Sequence, residues 1–149
     1  MPTDEPLNLG LLLFIPYRHL ESKVLEALKT HGHDLPLSQA RVFQRIDPGG
    51  SRLSTLAQAS ELSKQTVGSI VDQLERAGYV RRIPDPVDAR AKLVVVTDLG
   101  RRLVEISLPV VREVEEQWRT RLGPARARQL RDALLELREI TDPFIGDPP

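Results

Sequence analysis

Between Ser54 and Thr97 the chain passes from two short helical stretches to two short strands, and this order constrains the fold more than any other feature. Helical spacing runs from Ser54 to Ser60. It resumes at Ser63, a hydroxyl suited to capping, and continues through Val67, Ile70, Val71 and Leu74 to Ala77, where Gly78 stops it. The two helices meet at a tight turn around Glu61 and Leu62. β-Branched and aromatic residues then fill Tyr79 to Ile83 and Lys92 to Thr97. The connection Pro84-Asp85-Pro86-Val87-Asp88-Ala89-Arg90-Ala91 is too long for a tight hairpin and reads as a projecting wing.

The flanks are helical. Leu9, Leu12, Leu13, Pro16, Leu20, Val24 and Leu28 keep helical spacing from Leu9 to about Thr30, and Leu11, Phe14 and Ile15 are apolar on the other side. The start of this helix is therefore expected to be buried nearly all round. A short helix from Leu37 to Ile46 precedes the loop Asp47-Pro48-Gly49-Gly50-Ser51. After the wing, Thr97 or Asp98 can cap a long helix bearing Leu103, Ile106, Val110, Val111, Val114 and Trp118, with Pro109 suggesting a kink. Gly123-Pro124 ends it and opens a last helix with Leu130, Leu134, Leu137 and Ile140, and the tail from Pro143 is expected to fray.

The expected fold is mainly α with a small β-hairpin wing. A winged helix-turn-helix over residues 36–100 is flanked by long helices at 7–31 and 101–146, all in one domain of 149 residues. The first helix carries more apolar faces than one small domain can cover, so the flanking helices are expected to join two copies into a homodimer.

Charge is unevenly distributed along the chain. The formal net charge is zero, yet residues 38–102 hold eleven basic and seven acidic side chains, net +4, while each flank is net −2. The acidic start and the proline-broken apolar run from Leu9 to Tyr17 fit neither a signal peptide nor a membrane span, so a cytoplasmic protein without membrane contact is expected. With no cysteine there is no disulfide and no thiolate metal site. His31, His33 and Asp34 stand close together, but in loop sequence, and neither a metal nor a cofactor is expected.

With Val67, Ile70, Val71 and Leu74 on the core stripe, the second helix of the motif turns Gln65, Gly68, Ser69, Asp72 and Arg76 outward. Its first turns, with Ser63, Lys64, Gln65 and Thr66, set hydrogen-bonding side chains beside free backbone N–H groups and the positive end of the helix dipole. Those groups suit the phosphates and base edges of double-stranded DNA. Arg81, Arg82 and Lys92 stand at strand ends within reach of a backbone.

From Ser38 to Arg102 the wording also resembles the multiple antibiotic resistance regulator (MarR) family. The resemblance rests on Leu56-Ala57, Leu62 to Val67, Val71 to Arg82, Pro86-Val87-Asp88-Ala89-Arg90 and Val96-Thr97-Asp98-Leu99-Gly100, in register. It implies a homodimeric transcriptional regulator, expected to be a repressor, on pseudo-palindromic operators. It implies a minor-groove role for Arg90, with Asp88 placed to orient the guanidinium. It further implies release by a small aromatic or anionic effector held between the flanking helices and the winged segment, near Tyr17, Arg18, His19, Arg41 and Phe43. Gly68, Ser69 and Gln73 depart from the family's hydroxyl and arginines, which predicts a lighter phosphate grip. An alternative, a winged-helix module that docks on protein, draws support from the zero net charge, and the salt dependence of DNA binding separates the two. No nucleophile elbow, glycine-rich phosphate loop or paired carboxylates support an enzyme.

Overall fold

The computed structural model describes residues 6–142. Six helices and a small antiparallel sheet follow in the order α1 (Leu9–Thr30), α2 (Leu37–Phe43), β1 (Ser51–Arg52), α3 (Leu53–Ser60), α4 (Lys64–Arg76), β2 (Val80–Pro84), β3 (Lys92–Val96), α5 (Asp98–Leu122) and α6 (Pro124–Thr141). The expected class holds. The expected fraying from Pro143 lies outside the described residues.

Local chemistry sets the boundaries. Asn8 caps α1, its side chain accepting from the Leu11 amide at 2.9 Å, and α1 runs on through Pro16. Ser63 caps α4 and Thr97 caps α5, accepting from the amides of Thr66 and Gly100. Between α3 and α4, Glu61 takes φ +53, the left-handed conformation that makes the turn tight. Gly78 at φ +86 ends α4, and the Tyr79 amide returns to the Leu74 carbonyl at 3.0 Å. The short helix α2 stops at Phe43 rather than Ile46, because its last residues tighten into a turn with Arg45 N–H on Val42 and Ile46 N–H on Phe43.

The sheet has three strands in the order β1-β3-β2, one more than the sequence suggests. β1 is two residues long and pairs Ser51 with Val94 and Arg52 with Leu93. Gly50 lets it approach, since at φ +95 an added Cβ would stand 2.9 Å from Val95 Cγ1. β2 and β3 pair from Val80 with Val96 to Pro84 with Lys92. Pro84 is tolerated because β2 is an edge strand.

The core lies between the α2–α4 trio and the sheet. Val42, Leu56, Val67, Val71 and Leu74 are fully buried against Val80 and Val94, with Leu28 of α1 and Leu103 of α5 closing it from the flanking side. Removing such a side chain costs about 2–5 kcal/mol for a Leu. α1 packs along α5, and the end of α6 reaches back toward the α2–β1 loop, where Asp142 pairs with Arg45 at 3.5 Å.

The start of α1 departs from expectation. Leu9, Leu11, Leu12, Leu13, Phe14 and Ile15 are all exposed on the single chain, Leu9 by 77%, as are Leu130, Leu134, Leu135, Leu137 and Ile140 of α6. Among the described residues of one copy, these side chains are left uncovered on both helices. Among the described residues no helix is long and apolar enough to cross a membrane.

Candidate functional site

The buried stripe of α4 leaves Lys64, Gln65, Thr66, Ser69, Asp72 and Arg76 exposed, the face expected from the periodicity. At its head the Ser63 hydroxyl donates to the Thr66 hydroxyl at 2.8 Å and accepts from the Thr66 amide at 3.1 Å. The two hydroxyls are thus held together at the helix N-terminus, beside Lys64 and Gln65.

The wing is pinned at its base by an ion pair that the sequence does not announce. Arg52, one residue before α3, donates from Nε to Asp85 Oδ2 at 2.8 Å and from Nη2 to the same oxygen at 2.6 Å. Asp85 is 6% exposed, and its other oxygen accepts from the Val87 amide at 2.9 Å. The Val87 amide first, then Arg52, hold the Asp85 carboxyl below its ordinary range. Bonds from the Asp85 amide to the Ala91 carbonyl and from the Ala91 amide to the Asp88 carbonyl, each 3.0 Å, close the loop. Val87 is left at the tip, 91% exposed.

Asp88 does not orient the Arg90 guanidinium as expected. Its Oδ1 accepts from the Arg90 backbone amide at 3.0 Å, because two residues of separation favour an Asx turn over a side-chain ion pair. The guanidinium of Arg90 is left without an ion-pair partner among the described residues. It shares one shallow depression with Arg52, Lys64, Arg82 and Lys92, walled by Ser54, so the head of α4 and the wing open on the same basic surface. Arg52 and Ser54 are additions to the expected set, legible in the sequence only as members of the +4 segment.

Arg82 is tied down. Its guanidinium donates to Asp72 Oδ1 at 2.8 Å and Glu75 Oε1 at 2.9 Å, while its amide donates to Glu75 Oε2 at 3.0 Å. It braces α4 against β2. Gln73 accepts from the Gln39 side chain at 3.0 Å.

Since Asp85 is depressed, its contribution to stability is present above its unfolded value and disappears as pH falls through the lower folded one. Asp85→Asn, which loses the ion pair, is expected to unfold at lower urea than the parent, by a constant margin from pH 7 to about 5 that narrows below about 4. Equal midpoints at pH 7 would show that the pair does not hold the wing.

The five candidate ligand residues separate. Tyr17 and Phe43 line a cavity of about 330 Å³ between α1, α2 and α5, whose walls are otherwise mostly leucine and valine. Arg41 stands behind it, donating from Nε to Glu21 Oε2 at 3.0 Å and from Nη2 to Oε1 at 3.1 Å. The bond to Glu21 raises the already high pKa of Arg41. The Tyr17 hydroxyl donates to Glu21 Oε2 at 3.0 Å and accepts from Gln44 Nε2 at 3.2 Å. Arg18 and His19 lie elsewhere, in a groove on α1 with Leu11, Phe14, Ile15 and Ser22. Helical spacing sends them there, as positions 17 and 21 share one face while 18 and 19 do not. Glu21 was open to sequence reasoning as the residue one turn after Tyr17.

The loop histidines have structural partners. His31 Nδ1 lies 2.8 Å from the Ala27 carbonyl, and His33 Nδ1 hydrogen-bonds with the Tyr79 hydroxyl at 2.9 Å, its ring edge-on to the tyrosine. Burial raises the pKa of that hydroxyl.

Residues 33–91 match the MarR family. The chain is 31% identical over 91 residues to the transcriptional regulator HosA of Escherichia coli O111:H-, a match spanning 60% of this chain and 67% of HosA. It is 29% identical over 96 residues to the HTH-type transcriptional repressor NicR of Pseudomonas putida, across 64% of this chain and 59% of NicR. These relatives are named regulators, not enzymes. Among solved structures it is similar to CouR of Rhodococcus jostii RHA1 bound to p-coumaroyl-CoA, at 26% identity and a TM-score of 0.70 over 94% of this chain and 96% of CouR. With the helix-turn-helix, the three-stranded wing and the flanking helices already placed, the chain belongs to the MarR family of transcriptional regulators.

Proposed function

We propose that two copies of this chain form a dimer that reads pseudo-palindromic double-stranded DNA and represses transcription until a small molecule enters the cavity between α1, α2 and α5. The observation that carries the DNA reading is the single basic surface shared by the head of α4 and the wing, where Lys64, Arg90 and Lys92 converge. In this reading α4 enters the major groove, with Gln65 and Ser69 toward base edges and Ser63, Lys64, Thr66 and Arg76 toward base edges or phosphates. Arg90 enters the adjacent minor groove and Lys92 meets the backbone. Asp88 shapes the wing turn, and Arg82 sets the angle between α4 and the sheet while its exposed edge faces the backbone. Residues 36–100 then form the DNA-binding part, and 7–31 with 101–146 the dimerisation part.

The exposed apolar residues of α1 and α6 support the dimer, since a second copy related by a two-fold axis would cover the same residues on both chains. Two symmetric α4 helices in successive major grooves require half-sites roughly 10 bp apart.

Fluorescence anisotropy with a duplex selected from genomic fragments tests the reading. Affinity is expected to fall linearly in log–log form with salt, as ions leave the phosphates. Salt-independent or absent binding by folded protein would replace DNA with a protein partner for the wing, an outcome favoured by the pairing that already occupies Arg52 and Arg82. Sedimentation is expected to give a dimer at micromolar concentration, and a monomer would remove the two-fold arrangement.

A further inference from the structure

The polar groups of the cavity have already spent most of their protons. The Tyr17 hydroxyl donates to Glu21, and the Ser107 hydroxyl donates to the Leu103 carbonyl at 2.6 Å. One amide hydrogen of Gln44 is given to Tyr17, and the guanidinium behind the wall is given to Glu21. What the lining side chains have left to offer is mostly acceptor capacity, on the Glu21 carboxylate, the Gln44 carbonyl and the Ser107 lone pairs, against one remaining amide hydrogen of Gln44. A ligand satisfies these groups by donating to them.

Charge is also balanced. The Glu21 side chain is 12% exposed and, among the described residues, carries the only negative charge on the lining, and Arg41 neutralises it with two hydrogen bonds. A carboxylate brings acceptors only and would stand beside the Glu21 anion, while Arg41, outside the lining, already directs Nε and Nη2 to Glu21. An ammonium would meet a carboxylate whose counter-charge is already in place, and would lose its hydration among leucine and valine walls. At about 330 Å³ the cavity is at the small end of ligand sites and suits one ring with a short substituent.

We propose that the cavity selects an uncharged, single-ring ligand bearing a hydroxyl or amide donor, with Glu21 as its acceptor, and rejects the matching carboxylate. This rests on the effector reading above and assigns that site a ligand class set by Glu21 and Arg41.

Calorimetric titration of the full chain with benzyl alcohol, benzoate and benzylamine at neutral pH tests it. Benzyl alcohol is expected to bind, and the two ions to bind about tenfold more weakly or worse. Glu21→Gln removes the anion and releases Arg41, so benzoate is expected to gain about tenfold and match or overtake benzyl alcohol. Benzoate binding the parent protein as tightly as benzyl alcohol overturns the charge selection and leaves the effector cavity standing. That comparison needs no variant. Binding of none of the three overturns the effector reading and the selection with it. The same holds if binding persists in Ser107→Phe, which fills the cavity, provided circular dichroism shows that variant folded.

Discussion

Gly100→Ala is expected to destabilise the protein by about 3 kcal/mol or more, the upper range for overpacking, and to lower its melting temperature by roughly 6–12 °C. The direction is opposite to the helical rule, by which alanine in place of glycine gains up to about 1 kcal/mol. Gly100 lies in the first turn of α5, and an added Cβ would stand 2.2 Å from the Tyr79 carbonyl oxygen and 2.7 Å from Val96 Cγ1. A rotamer change would relieve the valine. The carbonyl cannot move cheaply, because it accepts from the Thr97 amide at 3.1 Å and its residue's own amide is bonded to Leu74. Thr97 also donates from its hydroxyl to the Gly78 carbonyl at 2.6 Å, so relief requires lifting α5 off the α4–β2 turn. Gly68→Ala is the control. Its Cβ would meet only Leu53 Cδ2 at 3.5 Å, ordinary contact, and the helical gain should appear as a raised melting temperature. Thermal unfolding of both variants at one concentration reads the contrast. An unchanged melting temperature for Gly100→Ala would show that α5 does not approach the turn so closely.

Arg90→Ala is expected to cost the dimer about a hundredfold in DNA affinity without loss of folding. The charge-assisted contacts of one arginine contribute about 1.5 kcal/mol, and two symmetric copies give about 3 kcal/mol, or some two decades. The guanidinium has no ion-pair partner to lose among the described residues, and the wing turn depends on the backbone amide of Arg90, which alanine keeps. The loss should be similar on most sequences, with the salt slope lower by about two ions per dimer, since a minor-groove arginine reads width and potential more than base identity. Gln65→Ala should behave differently, relaxing discrimination at one symmetric pair of base positions by about 1–3 kcal/mol. Anisotropy titrations against a selected operator and a scrambled duplex at several salt concentrations separate the two. If both folded variants bind both duplexes as the parent does, the DNA surface lies elsewhere.

Local chemistry in the sequence was enough to read α4, its cap and the wing. Ser63 and Gly78 bound a helix whose buried stripe alone determines which residues face outward, and those signals act over a few bonds. The outward face of α4 follows from the same periodicity; the split of Tyr17 from Arg18 and His19 obeys it too, against the expectation that grouped all three at one crevice. β1 could not be read this way. Two residues carry no alternation, and the strand exists because Gly50 lets the chain lie against β3.

What tertiary structure decided is which charges remain available. Arg52 and Asp85 are far apart in the chain, as are Arg41 and Glu21, and no spacing rule links them, yet each pairing removes a cation from the free set. Arg82 was legible as a strand-end cation but not as a brace between Asp72 and Glu75, since that depends on how β2 crosses α4. Asp88 is a local case instead: it became a backbone cap rather than a side-chain partner because a short loop satisfies its own amides first. The apolar start of α1 shows the complementary case. Its composition called for burial, and the packing of one chain leaves it exposed, because a helix apolar on several faces can bury only one of them against α5 and the rest await a second surface.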